Sequence, residues 1–159
     1  HTIQIAMGWT NSHLFEFTIE GYRIGEIIEN LEDQDESHII NAKETKLIAL
    51  VDKEGEDFKY EYDFGDGWYH SIILEKYESL ENTQQLPFCL SGALKCPPED
   101  CGGITGFYDV LSVISNKRHP DYQDTKVWAG GKFDPTEFDA VKLNKELKNI
   151  DKYIKSIEE

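Results

Sequence analysis

Apolar and polar residues alternate most strictly in two neighbouring runs near the middle of the chain. Phe58, Tyr60 and Tyr62 interleave with Lys59, Glu61 and Asp63, and Gly65-Asp66-Gly67 follows. The next run sets Trp68, His70, Ile72 and Leu74 on one face and Tyr69, Ser71, Ile73 and Glu75 on the other. A side-chain period of two marks a strand, and the glycines allow a tight reversal. Residues 58–63 and 68–77 are therefore expected to form a hairpin. Its return strand is apolar on both faces and is expected at the centre of its sheet. Phe15, Phe17 and Ile19 alternate with Glu16, Thr18 and Glu20, predicting a half-buried strand over 15–20.

Helical spacing dominates elsewhere. Ile3 and Met7 share one face of a helix over 2–7, stopped by Gly8. Residues 26–37 are acidic and poor in apolar anchors, which predicts an exposed loop, and 78–86 form a polar connection. Residues 45–52 suit one or two helical turns, with a buried strand as the alternative. Pro87, Gly92, Pro97, Pro98, Gly102 and Gly103 make the following stretch irregular. A helix over 106–116 carries Phe107, Val110, Leu111 and Ile114 on one stripe, and a short helix covers 121–128. Asp134-Pro135 suits an N-cap with proline at the first helical position, and a last long helix covers 139–157. The economical architecture is a single α+β domain over 1–159. It has an antiparallel sheet with a central hairpin, packed by several helices mostly from the C-terminal half.

Composition narrows the functional classes. The chain of 159 residues carries a formal charge of −15, with arginine only at positions 23 and 118. Such a surface repels phosphate backbones, which disfavours nucleic-acid binding and suits a basic peptide or protein partner. The bland alternative for the acid excess is solubility. The longest aliphatic run, Leu47 to Val51, is too short to span a bilayer. Cys89, Cys96 and Cys101 are odd in number and no secretory signal precedes them, which points to a reducing, cytoplasmic setting.

Two sites are candidates in the span 60–106. Cys89, Cys96 and Cys101 with His70 could form a Cys₃His zinc site. Their C-x₆-C-x₄-C spacing lacks the C-x₂-C knuckle, and small packed thiols explain them as well. Asp63, Asp66, Glu99 and Asp100 could instead converge with His70, hold magnesium or calcium and activate water, with His70 as general base. Turn chemistry competes for Asp66, and capping of the next turn competes for Glu99 and Asp100. Aromatic side chains offer a third possibility. Trp9, His13, Tyr69 and Trp128 are candidates for a binding surface, since amphipathic rings concentrate at interaction hot spots. Trp68 and Tyr62 are expected in the core.

Ile3-Gln4 through Gly8-Trp9 to His13-Leu14, the run from Tyr60 to His70, and Cys96-Pro97-Pro98-Glu99-Asp100-Cys101-Gly102-Gly103 stand together with Trp128, Gly130, Phe133-Asp134-Pro135 and Phe138-Asp139. In these segments the chain closely resembles the plasmid pRiA4b ORF-3-like family, from His1 to about Leu147. The resemblance implies an α+β domain with no activity to transfer residue by residue. The family has a strand before the first helix, so the N-terminus here is expected to be truncated. Many relatives carry a histidine where this chain has Phe15. Plasmid association suggests DNA mobility, but two distant arginines do not supply the cationic cluster a recombinase needs. Function is left open between a protein or peptide interaction module with an aromatic-lined, acidic surface, which asks least of the residues, a metal-dependent hydrolase, and a zinc-stabilised domain. A divalent metal, zinc or magnesium, belongs only to the last two, and the expectation is that none is bound.

Overall fold

The computed structural model describes residues 1–27, 39–79 and 85–158. It is a mixed α+β structure whose contacts gather into two compact units, His13–Leu80 and His1–Ser12 with Glu81–Glu159. The loop expected at 26–37 and the connection at 78–86 fall largely outside the described residues.

The first-named unit is a five-stranded sheet. It contains β1 (Phe15–Ile19), β2 (Tyr22–Gly25), β3 (Ile39–Asn41), β4 (Asp57–Tyr62) and β5 (Trp68–Ile73), in the order β3-β2-β1-β4-β5. Glu20 and Gly21, at φ 49° and 86°, close the β1–β2 hairpin as the two positive-φ residues of a tight turn. Alternation then places Phe17 opposite Tyr60 and Phe15 opposite Tyr62. These cross-strand aromatic pairs stiffen the sheet. Ile19, Ile24, Val51 and Phe58 form its core, with Phe17, Ile72 and Leu74 packed against them. A single 3-10 turn, Leu47–Ala49, lies within the expected helical stretch.

Two expectations about this sheet need correction. The β2–β3 pair is parallel, so the sheet is mixed rather than antiparallel. β5 is an edge strand and not a central one. Its second apolar face is not covered: Tyr69 is 73% exposed and Ile73 also faces water.

The other unit is helical, with α1 (Thr2–Met7), α2 (Gly103–Ser115), α3 (Tyr122–Trp128), α4 (Ala140–Leu147) and α5 (Ile150–Glu158). Gly8, at φ 76°, ends α1 and returns its N–H to Gln4 and Ile5. Ile5, Leu143 and Leu147 form the core, joined by Cys89, Phe138, Ile150 and Tyr153. α2 starts three residues earlier than its stripe predicts. A Cβ on Gly106 would lie 1.8 Å from the Cys101 carbonyl oxygen, so only glycine permits that first turn.

The long C-terminal helix is in fact two. Asn149 gives its side-chain amide to the Lys145 carbonyl and its backbone N–H to Glu146, which tightens and ends α4. The expected N-cap at Asp134 is also corrected. Its carboxylate accepts from the N–H and hydroxyl of Thr136 in a local turn, while the Pro135 carbonyl accepts from Lys95. Asp139 is the cap that starts α4, accepting from the Lys142 N–H at 2.9 Å. Among the described residues no helix is long and apolar enough to cross a membrane.

Candidate functional site

In the sheet unit the hairpin turn organises the polar side chains. Asp63 adopts φ 54°, and its Oδ1 accepts from the N–H groups of Gly65 and Asp66 at 3.0 and 3.3 Å. Turn formation therefore falls to Asp63, with half-buried Asp66 as a recipient of the turn rather than its maker. The second oxygen of Asp63 faces the His13 Nε2 at 3.7 Å. His13 also donates its backbone N–H to the Tyr62 hydroxyl and packs edge-on against that ring. His70 lies on the half-buried face of β5, with Nδ1 3.3 Å from the Tyr60 carbonyl oxygen and its ring against Tyr60. Tyr69 stands outward opposite Glu61, whose hydrogen bond and charge hold the phenol above its ordinary pKa.

In the helical unit the expected cysteine set does not assemble. Among the described residues the three thiols form no group within ligand reach of one another. Cys89 Sγ lies 3.4 Å from the Ser91 carbonyl, Cys96 Sγ 2.9 Å from Met7 Sδ, and Cys101 Sγ 3.7 Å from the Gly103 carbonyl. Burial pushes the Cys96 thiol above its ordinary pKa.

Two further placements differ from expectation. Trp9 is only 4% exposed and donates its indole N–H to the Pro97 carbonyl, so it is a structural anchor and not a binding surface. Glu99 binds groups near the start of the chain. It accepts from the Thr10 N–H and hydroxyl, and from Ser12, across 87 to 89 residues of sequence. Asp100 is exposed at φ 59°, just ahead of α2. Trp128, at the end of α3, is half in water.

The feature that sequence inspection missed is the loop at 86–95. Its backbone is held at three places. Cys89 exchanges two hydrogen bonds with the Asn144 amide, at 2.8 and 2.9 Å, in the manner of a strand partner. Gly92 lies so close to Phe138 that a Cβ would sit 2.4 Å from the ring. Lys95 donates its N–H to Pro135 at 3.0 Å. Although fixed in this way, the loop turns Leu86, Phe88, Leu90 and Leu94 outward, Leu90 to 88% and Leu94 to 64% exposure. Beside it lies a cavity of about 380 Å³ lined by Ile5, Met7, Leu94, Phe138, Lys142 and Leu143. The available signal was an apolar run, Leu86 to Leu94, with Leu86, Phe88 and Leu90 two apart inside a Pro/Gly-rich stretch.

A family model described as plasmid pRiA4b ORF-3-like protein matches residues 1–142. The chain belongs to that family. It is 35% identical over 150 residues to the uncharacterized protein y4hQ of Sinorhizobium fredii (strain NBRC 101917 / NGR234), spanning 93% of this chain and 75% of that one. It is also similar to the crystal structure of a protein of unknown function from Methanosarcina mazei Go1. That likeness has a TM-score of 0.74 and 32% identity, and covers 87% of this family member and 77% of the other chain. The family match spans the hairpin, the 86–95 loop and the start of α4, and leaves α5 outside it.

Proposed function

We propose that this protein is a protein- or peptide-interaction module of the cytoplasm whose contact surface is the fixed loop at 86–95 and the cavity beside it. One observation carries the reading: Phe88, Leu90 and Leu94 are held in water by a backbone that is itself pinned through Asn144, Phe138 and Pro135. Exposed apolar side chains on a fixed frame lose little entropy on binding, and clusters of them mark interaction sites. The formal charge of −15 selects a basic amphipathic segment as partner, because it steers cations in and excludes acidic competitors. Three free thiols fit a reducing compartment.

The test uses two labelled synthetic peptides with the same apolar anchors, spaced by lysine in one and glutamate in the other. Fluorescence anisotropy should show the lysine peptide binding and the glutamate peptide not binding, with affinity falling as salt rises. Leu90→Ser and Leu94→Ser should each weaken binding about tenfold or more while leaving the melting curve in place. Equal binding of both peptides, or unchanged affinity in the two variants, rules the proposal out.

A further inference from the structure

The outer edge of β5, the last strand in the sheet order, is separate in sequence from the loop at 86–95. Its hydrogen-bonding polarity follows from the register. Leu74 donates its N–H to the Glu56 carbonyl at 2.9 Å, and Ile72, His70 and Trp68 face Phe58, Tyr60 and Tyr62. Bonded and non-bonded pairs alternate along an antiparallel ladder, so these even-numbered residues turn their backbone groups toward β4. On the far side of β4, Asp63 donates its N–H to Leu14, which fixes the same alternation. Tyr69, Ser71 and Ile73 consequently direct N–H and C=O away from the sheet. Among the described residues no hydrogen bond reaches those outward groups.

Natural sheets protect such an edge with charge, proline, a bulge or a very short strand. β5 has none of these. From Trp68 to Leu74 there is no proline and no Asp, Glu, Lys or Arg, in a chain that is 30% charged. The pairing with β4 runs unbroken from Asp57↔Ile73 to Tyr62↔Trp68. The neighbouring inner strand β4 carries Asp57, Lys59 and Glu61, so charge sits on the inner strand and not on the edge. The opposite edge, β3, is only three residues long.

We propose that β5 docks against β5 of a second copy of this chain, the strands adding antiparallel about a two-fold axis at Ser71. This register sets Tyr69 opposite Ile73 of the second copy, Ser71 opposite Ser71, and His70 opposite Ile72. The outward face then presents two aromatic–β-branched pairs flanking a serine pair, which is among the favourable cross-strand combinations. No like charges meet. The sequence of the strand is what selects a copy of itself over a basic peptide: its six residues offer no carboxylate for a cation to pair with. The charge of −15 on each chain opposes association at long range, so the dimer tightens as salt rises. Strand addition of a basic peptide would weaken instead.

Analytical ultracentrifugation of the full chain, up to about 1 mM protein and from low salt to about 0.5 M, gives the first readout. A concentration-dependent dimer that firms with salt is expected, with amide exchange at Tyr69, Ser71 and Ile73 slowed only in the dimer. Ser71→Pro removes one outward donor without touching the β4 ladder, and Ile73→Lys adds a charge on a side chain already in water. Each should weaken the dimer about tenfold or more with the circular dichroism spectrum unchanged. If Ser71→Pro fails to fold, Ile73→Lys decides. A monomer under all conditions, a dimer indifferent to Ile73→Lys, or a dimer loosened by salt overturns the proposal. Peptide binding at residues 86–95 should be the same in Ile73→Lys and the parent, so the two surfaces fail or stand separately.

Discussion

The hairpin of β4 and β5 and the loop at 86–95 lie close in sequence and contain similar apolar residues, yet they place them oppositely. In the hairpin, alternation is converted into burial: Phe58, Tyr60, Tyr62 and Trp68 are all inside, and Tyr62 is 0% exposed. Its contacts are local, because each residue of β4 meets one of β5 between 6 and 16 positions along the chain. In the loop Leu86, Phe88 and Leu90 keep a spacing of two without belonging to the sheet, and the backbone is fixed by residues far along the chain. Asn144 is 55 positions from Cys89. Lacking a regular ladder, the loop satisfies its backbone through a side-chain amide and leaves its apolar side chains in water. Burial of aromatic residues thus serves stability in one region, and in the other aliphatic side chains stay exposed on a fixed backbone.

That contrast can be broken at three points. The largest effect belongs to Tyr62→Ala, which empties a fully buried aromatic site and removes the acceptor of the His13 N–H. A loss of about 3–5 kcal/mol in urea unfolding is expected. A loss under about 1 kcal/mol would show that the hairpin does not depend on its inner face. Next comes Asn144→Ala, which strands the N–H and C=O of Cys89 at a cost of about 1–3 kcal/mol. The same variant should weaken lysine-peptide binding although residue 144 is not one of the exposed anchors. Unchanged affinity would mean that the loop does not need its pin. The smallest is Asp139→Ala, worth about 1 kcal/mol by thermal melt because it removes the N-cap of α4. No change there would return the helix start to the neighbourhood of Asp134.

Much of the fold was legible. The Gly65-Asp66-Gly67 reversal, the helix stop at Gly8, and the stripe of Phe107, Val110, Leu111 and Ile114 are local signals with local causes. The break between α4 and α5 was hidden, since a helical stripe of Leu147, Ile150 and Ile154 looks continuous whichever way Asn149 turns its amide. β2 and β3 are too short to show a period. The candidate sites were read less well. Trp9 and Glu99 looked available for binding and catalysis, but Pro97, Thr10 and Ser12 engage them from the other end of the chain's numbering.

Sequence alone determined the class of structure, the hairpin and its turn, the family, and the net negative charge of the chain. Period, glycine placement and charge are properties of neighbouring residues, so they survive without a fold. Tertiary structure decided which apolar residues meet water. Tyr69 and Ile73 face solvent because they lie on the uncovered face of the sheet, beside the exposed Asp57 and Lys59 of β4, and Leu90 and Leu94 do so because Asn144 and Phe138 hold the loop by its other side. Exposure is set by what arrives from distant parts of the chain, and no local pattern encodes it.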